Sequence, residues 1–172
     1  MRNILCSSEI PLIGIAASGS GAGKTQLILA LLEELTKYGL NAAVLKHAQH
    51  MSWPIDKDSG LYMLHGAKSA LAVSPMGWQF NASPTPEPDF STALRLLEQN
   101  PPIDIILVEG YKKGPQPKLL LSSYNIGKEH LLPHTVALVS EAPQQLPLPC
   151  FDNTDTAAIT TFIINYCGLG GK

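Results

Sequence analysis

Apolar and polar positions change rhythm along this chain in a way that marks alternating strands and helices. The run Leu12-Ile13-Gly14-Ile15-Ala16-Ala17 is continuously apolar and bounded by Pro11, the pattern of a strand buried on both faces. From Gln26 to Lys37 the period becomes helical: Leu27, Ile28, Leu31, Leu32 and Leu35 form one stripe, with Gln26, Glu33 and Lys37 opposite. Gly39 supplies a stop, and Asn41–Lys46 predicts a second strand, a βαβ start of the length a right-handed crossover needs. A short helix is expected over Asp58–His65, ended by Gly66, with a third strand at Ser69–Val73. Ser83–Asp89 is too rich in proline for helix or internal strand, so it reads as a loop leading to a helix capped by Ser91 and reaching about Gln99. Ile103–Gly110 predicts a buried strand ending in acid and glycine, and Lys118–Leu121 and Val136–Ser140 predict two more. A final helix starts near Thr154 or Asp155, buries Ile159, Phe162, Ile163 and Tyr166, and stops at Gly168. Strand–helix alternation without an internal repeat predicts an α/β fold of three layers around a mostly parallel central sheet.

Between the first strand and the first helix stands Ser18-Gly19-Ser20-Gly21-Ala22-Gly23-Lys24-Thr25. A glycine-rich turn closed by Gly-Lys-Thr in this context is a phosphate-binding loop, and the fold class becomes that of a P-loop NTPase. Gly19, Ser20, Gly21, Ala22 and Gly23 let successive N–H groups point at phosphate oxygens, and the helix N-terminus adds favourable potential. Lys24 is placed to reach the β and γ phosphates, and the Thr25 hydroxyl to sit on Mg²⁺. Ser18 replaces the first glycine of the usual pattern, at a position where a small residue suffices. A glycine turn without ligand is the alternative, disfavoured because the Gly-Lys-Thr and both flanking periodicities agree. A dinucleotide fingerprint fits less well, since its third glycine position falls on Lys24.

Composition narrows the setting. The 172 residues are 45% apolar and 15% charged, which suits a single compact domain. With 12 basic and 14 acidic side chains the net charge is -2, without a Lys/Arg cluster, so neither nucleic acid nor an anionic membrane is an expected partner. No apolar run approaches the roughly 20 residues that span a bilayer, and no secretory leader pattern opens the chain, so a cytoplasmic location is expected. Cys6, Cys150 and Cys167 are few and widely spaced, suggesting neither a disulfide framework nor a Cys-x-x-Cys site.

Glu109 closes an apolar strand at the edge where the phosphate loop lies, and is the expected second holder of Mg²⁺ or its water; an ordinary loop acid is the alternative. Asp104 lies five residues earlier, about 16 Å down the strand at roughly 3.3 Å per residue, which rules it out for the same ion. Lys46 and His47 emerge after the second strand at the same edge. With His50 they suggest nucleotide or partner contact, solvated or structural histidines, or a two-histidine metal site lacking a third ligand. Asp56-Lys57-Asp58-Ser59 reads equally as a switch-like loop or as a solvated loop capping a helix. Tyr111, Lys112 and Lys113 read either as a basic rim or as a solvated loop. After Val139 the chain continues Ser140-Glu141-Ala142-Pro143 in place of an Asn-Lys-x-Asp guanine signature, so spacing alone does not separate GTP from ATP. Only Arg2 and Arg95 could stabilise a transferring phosphoryl group, one terminal and one in an expected helix.

With these pieces placed, the chain resembles the MobB family of GTP-binding adapter proteins over most of its length. The likeness rests on Ala17–Thr25, on Val44-Leu45-Lys46-His47-Ala48-Gln49-His50, on Asp58-Ser59 with Gly66-Ala67, on Asp104–Gly110 followed by Tyr111-Lys112 and Pro117-Lys118, and on Asp152-Asn153-Thr154-Asp155. One departure is that Asp56-Lys57 runs straight into Asp58-Ser59, where the family carries a longer Asp-Lys-Pro-Gly-Lys-Asp-Ser loop. The resemblance implies a homodimer that binds GTP with Mg²⁺, hydrolyses it slowly if at all, and assists MobA, the guanylyltransferase that joins GMP to molybdopterin. It leaves open whether the pterin itself touches this chain, and it implies no catalytic residue. A small-molecule kinase and a GTP-switched metallochaperone using His47 and His50 are the rival readings; the first lacks phosphate-clamping arginines and the second a third ligand.

Overall fold

The computed structural model describes residues 8–19, 23–48, 52–54, 56–83, 86–99, 102–142 and 144–170. Backbone packing divides the chain into two compact units, one made of residues 1–47 and 90–172 and the other of residues 48–89.

The larger unit is built on six parallel strands. These are β1 (Leu12–Ala17), β2 (Ala42–Lys46), β5 (Ile105–Glu109), β6 (Lys118–Leu121), β7 (Thr135–Val139) and β8 (Cys150–Phe151), in the order β2-β5-β1-β6-β7-β8. The central strands β1, β5 and β6 are buried at every position, which is why their sequences are unbroken apolar runs with few exceptions. Helices α1 (Lys24–Lys37) and α4 (Thr156–Cys167) cover one face. There Leu27, Ile28, Leu31 and Leu35 meet Ile13, Ile15, Ile105, Leu107, Leu119, Ile159 and Ile163. Each fully enclosed leucine in that stripe contributes about 2 kcal/mol. The other face carries α3 (Phe90–Glu98) over Leu12, Ile106 and Val108, and a separate apolar cluster where Ala16, Leu120 and Leu138 are covered by Ile126, Leu131, Leu132, Leu146 and Leu148 from loops.

Most expected elements form within a residue or two of their sequence limits. Two details differ. Tyr166 is 43% exposed, so the final helix buries Ile164 with Ile159 and Ile163 while Tyr166 stacks on Phe162 near its surface. Ser91 lies inside α3, not at its cap, and its Oγ accepts from Arg95 Nη1 at 2.9 Å. The two-residue β8 is too short to carry a periodic signal.

The smaller unit holds α2 (Asp58–Leu64) and an antiparallel pair, β3 (Ser69–Ser74) with β4 (Gly77–Ala82). The third strand therefore exists but belongs to a hairpin, not to the parallel sheet. Its sequence says why: Ala70 and Ala72 alternate with Leu71 and Val73, the half-covered pattern of an antiparallel strand. Pro75 sets up the turn, and Gly77 takes a φ of 141° that a larger side chain resists. Gly60 of α2 lies so close to Pro54 that a Cβ there would sit 2.2 Å from the Pro54 carbonyl oxygen.

Candidate functional site

The carboxyl edge of the parallel sheet gathers the charged residues singled out in the sequence. At the end of β1, the Ser18 N–H donates to the Leu121 carbonyl at 3.1 Å, so the chain leaves the strand tied to its neighbour β6. Gly23 then caps α1 in the left-handed region at φ 76° and ψ 12°, where a Cβ is unfavourable, and its carbonyl accepts from Leu27 N at 2.9 Å. Ser20, Gly21 and Ala22 lie outside the described residues. Lys24 and Thr25 form the first turn of α1, which contains no acidic side chain, so the potential of that helix end is left for an anion.

Strand register brings Glu109 to this place. Ile15, Glu109 and Lys46 are paired across β1, β5 and β2, with Glu109 on the face that α1 covers. Its side chain is 11% exposed, and Oε1 accepts a long hydrogen bond of 3.4 Å from Thr25 Oγ1 while Oε2 lies 3.4 Å from Lys46 Nζ. A hydroxyl and a carboxylate oxygen at this separation form a hard-donor pair suited to Mg²⁺, held directly or through water. Asp104 acts at the far end of β5, where its Oδ2 accepts from Asn41 N at 2.9 Å and from Asn41 Nδ2 at 3.1 Å.

His47 is fixed from three directions. Its N–H donates to the Glu109 carbonyl at 2.9 Å, its ring packs at 4.7 Å on Tyr111, and Gly110 slides beneath it. A Cβ on Gly110 would stand 3.1 Å from the His47 carbonyl oxygen, and the residue has φ 91°. Glycine after Glu109 is thus needed for close approach. Tyr111 itself has φ 44°, unusual for a non-glycine residue, and its ring meets Phe90 edge-on at 4.8 Å. Lys112 and Lys113 beside it are exposed. Among the described residues no group of three or more His, Cys, Asp or Glu forms a metal centre; His50 lies outside them. Arg95 is held on its own helix by Ser91 and Thr92, at 2.9 and 2.8 Å.

Two features are not legible as functional in the sequence. Lys118, the first residue of β6, is fully buried and has no acidic partner among the described residues; Nζ donates to the carbonyls of Gly114, Gln116 and Pro133 at 2.6, 2.8 and 3.0 Å. Burial holds its pKa below that of an ordinary lysine. Gly14 makes room for its stem, since a Cβ there would be 2.9 Å from Lys118 Cγ. The sequence marks Lys118 only through the Pro117-Lys118 pair of the family likeness and as a lysine opening the apolar run Leu119-Leu120-Leu121, neither of which shows its buried role. The second feature is a row of serines. Ser122 N donates to the Val139 carbonyl at 3.0 Å and Ser140 N to the Phe151 carbonyl at 2.8 Å, repeating what Ser18 does one strand earlier. A continuous backbone shelf therefore runs from Ser18 at the end of β1 across β6 and β7 to β8.

Comparisons with known proteins agree with this geometry. Residues 12–141, well over half the chain, match the model of the MobB family, described as molybdopterin guanine dinucleotide synthesis protein B. The molybdopterin-guanine dinucleotide biosynthesis adapter protein of Haemophilus influenzae is 29% identical over 168 residues, covering 95% of this chain and 93% of the relative. The protein of the same name from Escherichia coli is 28% identical over 165 residues, covering 91% and 93%. Among solved structures, Bacillus subtilis MobB superposes with a TM-score of 0.72 at 26% identity, covering 95% of this chain and all of that one. A MobB homologue from Bacillus stearothermophilus gives 0.71 at 19% identity, covering 92% and 98%. The chain belongs to the MobB family.

Proposed function

We propose that this protein is a GTP-binding adapter in molybdopterin guanine dinucleotide biosynthesis, working in the cytoplasm beside the guanylyltransferase MobA. The observation that carries the nucleotide site is the meeting of Lys24 and Thr25 at the N-terminus of α1 with Glu109, 3.4 Å from Thr25. In this reading Gly19 to Gly23 and Lys24 hold the phosphates, Thr25 and Glu109 hold Mg²⁺, and Lys46 and His47 line the edge. Mg²⁺ would neutralise phosphate charge; the chain's own residues bind and orient the nucleotide. Lys46 balances Glu109 when the ion is absent, which keeps a buried carboxylate from standing alone. Arg95, the one arginine among the described residues, is held on its own helix by Ser91 and Thr92, so turnover is expected to be slow. The adapter role is supported by family membership and by the names of the two bacterial relatives.

Calorimetric titration with non-hydrolysable GTP and ATP analogues in Mg²⁺, followed by turnover assays, tests this. Selective GTP binding, turnover far below the roughly 1–100 s⁻¹ of kinases, and capture of the guanylyltransferase are the expected results. ATP preference or fast turnover stimulated by a metabolite would make the protein a kinase instead.

The homodimer belongs to the same proposal, and the hairpin offers its surface. Register places Leu71 opposite Phe80 and Val73 opposite Trp78 on one face, and these side chains are 60, 51, 76 and 58% exposed. Residues 69–82 contain no charged side chain, whereas exposed strands are normally guarded by charge. Trp78 and Phe80, each a little over half exposed, offer about 100–150 Å² apiece, and with Leu71, Val73 and Met76 the exposed apolar area comes to roughly 600–700 Å², the larger part of the roughly 800 Å² per partner of a stable interface. A second copy of the same uncharged face is the occupant that matches it. Sedimentation is expected to give a dimer for the native chain and a monomer for Val73→Glu; a native monomer, or a variant that remains dimeric, would exclude this surface.

A further inference from the structure

We propose that Glu141 selects the guanine base of the bound nucleotide; the inference rests on the GTP-binding reading above. The direction in which a nucleotide lies follows from the carboxyl edge. Phosphates belong at Ser18 to Thr25 after β1, and the Glu109–Lys46 pair occupies the side toward β5 and β2. Ribose and base therefore extend the other way, along the shelf where Ser18, Ser122 and Ser140 each bond to the last residue of the next strand. With strands about 4.8 Å apart, the turn after β7 stands about 10 Å from the end of β1, the reach of a ribose and a base.

At that turn Glu141 is exposed, and among the described acids near it, it is the one not committed to its own turn or to a helix cap. Asp152 Oδ1 is occupied by its own turn, accepting from Thr154 N at 2.8 Å and Thr154 Oγ1 at 2.6 Å. Asp155 caps α4 by accepting from Ala158 N at 3.0 Å. Glu141 instead accepts from Asn153 Nδ2 at 2.6 Å through Oε1, a bond that joins the turn after β7 to the turn after β8 and holds the carboxylate between them. The turn that carries it is itself held, because Gln144 Nε2 shares its two hydrogens among Ser140 Oγ, Ala142 O and Tyr124 O while Gln144 Oε1 accepts from Ile126 N. A carboxylate keeps about four acceptor sites, so holding Asn153 leaves room for two donors. Guanine presents two adjacent donors, N1–H and the 2-amino group; adenine presents an acceptor at N1 and lacks the amino group. The acid thus supplies the discrimination that the missing Asn-Lys-x-Asp pattern would otherwise provide.

Glu141→Gln tests this with a gain as well as a loss. Its amide can accept from N1–H and donate to a 2-oxo group, so preference should pass from GTP to XTP. Calorimetry is expected to show GTP affinity falling about 10- to 100-fold and XTP affinity rising, with inorganic tripolyphosphate binding unchanged. Asn153→Ala, which frees the carboxylate to rotate, should weaken GTP binding without a gain for XTP. A Glu141→Gln protein that keeps native GTP affinity and selectivity, or one that loses GTP, XTP and tripolyphosphate alike, overturns the assignment. If the native protein binds no guanine nucleotide, the nucleotide reading falls and this inference with it.

Discussion

Lys24→Ala removes GTP binding while leaving the fold intact and marginally more stable. In the proposed site the ammonium would reach two phosphate groups, and each charge-assisted hydrogen bond contributes about 1.5–3 kcal/mol, so the loss should exceed a hundredfold in affinity. The stability side has the opposite sign. Lys24 is the first residue of α1, no acidic residue accompanies it in that turn, and a cation at a helix N-terminus is unfavourable by about 0.3–1 kcal/mol. Without nucleotide the variant is therefore expected to melt at the native temperature or a degree or two above it. With saturating GTP only the native protein should gain stability, because ligand binds its folded form alone. Calorimetric titration and thermal unfolding with and without GTP check both halves. Retained affinity would break the phosphate-loop assignment, and a large fall in melting temperature would make Lys24 a structural residue.

That pairing of effects illustrates which parts of the chain speak through sequence. The phosphate loop is legible because its chemistry is local: glycine, lysine and threonine act within eight consecutive residues between two elements with clear periods. Glu109 is legible because a parallel strand buried on both faces admits no other polar residue, so the acid at its end stands out. Residues whose roles depend on distant partners stay silent. Tyr111 reads as a surface aromatic until its positive φ and its place between His47 and Phe90 are seen. Glu141 reads as a loop acid until Asn153, twelve residues later, fixes it. The strand Gly77–Ala82 is hidden although Trp78 and Phe80 alternate with Gln79 and Asn81, because Pro75 and Gly77 give the stretch the composition of a loop. Antiparallel pairing of Ser69–Ser74 with it is a tertiary choice that competes with joining the parallel sheet, and propensity does not decide between them.

Lys118 shows the same dependence in its strongest form, and its replacement should have the largest effect on stability. Replacing a buried ion pair with apolar residues is often neutral, because both charged partners leave together. Here the partners are three backbone carbonyls, of Gly114, Gln116 and Pro133, which no side-chain substitution removes. Lys118→Met keeps the stem that packs against Gly14, relieves one buried charge, and leaves three acceptors without that donor. The three orphaned groups at about 1–3 kcal/mol each cost about 6 kcal/mol at mid-range, against about 3–4 kcal/mol of relieved charge burial, so the expected balance is a net destabilisation of about 2–3 kcal/mol. In a chain of this length that lowers the melting temperature by about 4–12 °C. The dependence on pH distinguishes the ammonium from the packing. Because burial lowers its folded pKa below 10.5, the unfolded chain holds more protons between that lowered value and 10.5. This lysine's contribution to stability therefore rises with pH across that alkaline window and is flat below it. Urea unfolding of the native chain and Lys118→Met from neutral to alkaline pH should show the native curve carrying this rising component and the variant curve lacking it. A variant that unfolds at the native urea concentration would mean that the carbonyls find other donors. The loop from Gly110 to Pro117, which seats Tyr111 against His47, would then owe its shape to packing rather than to Lys118.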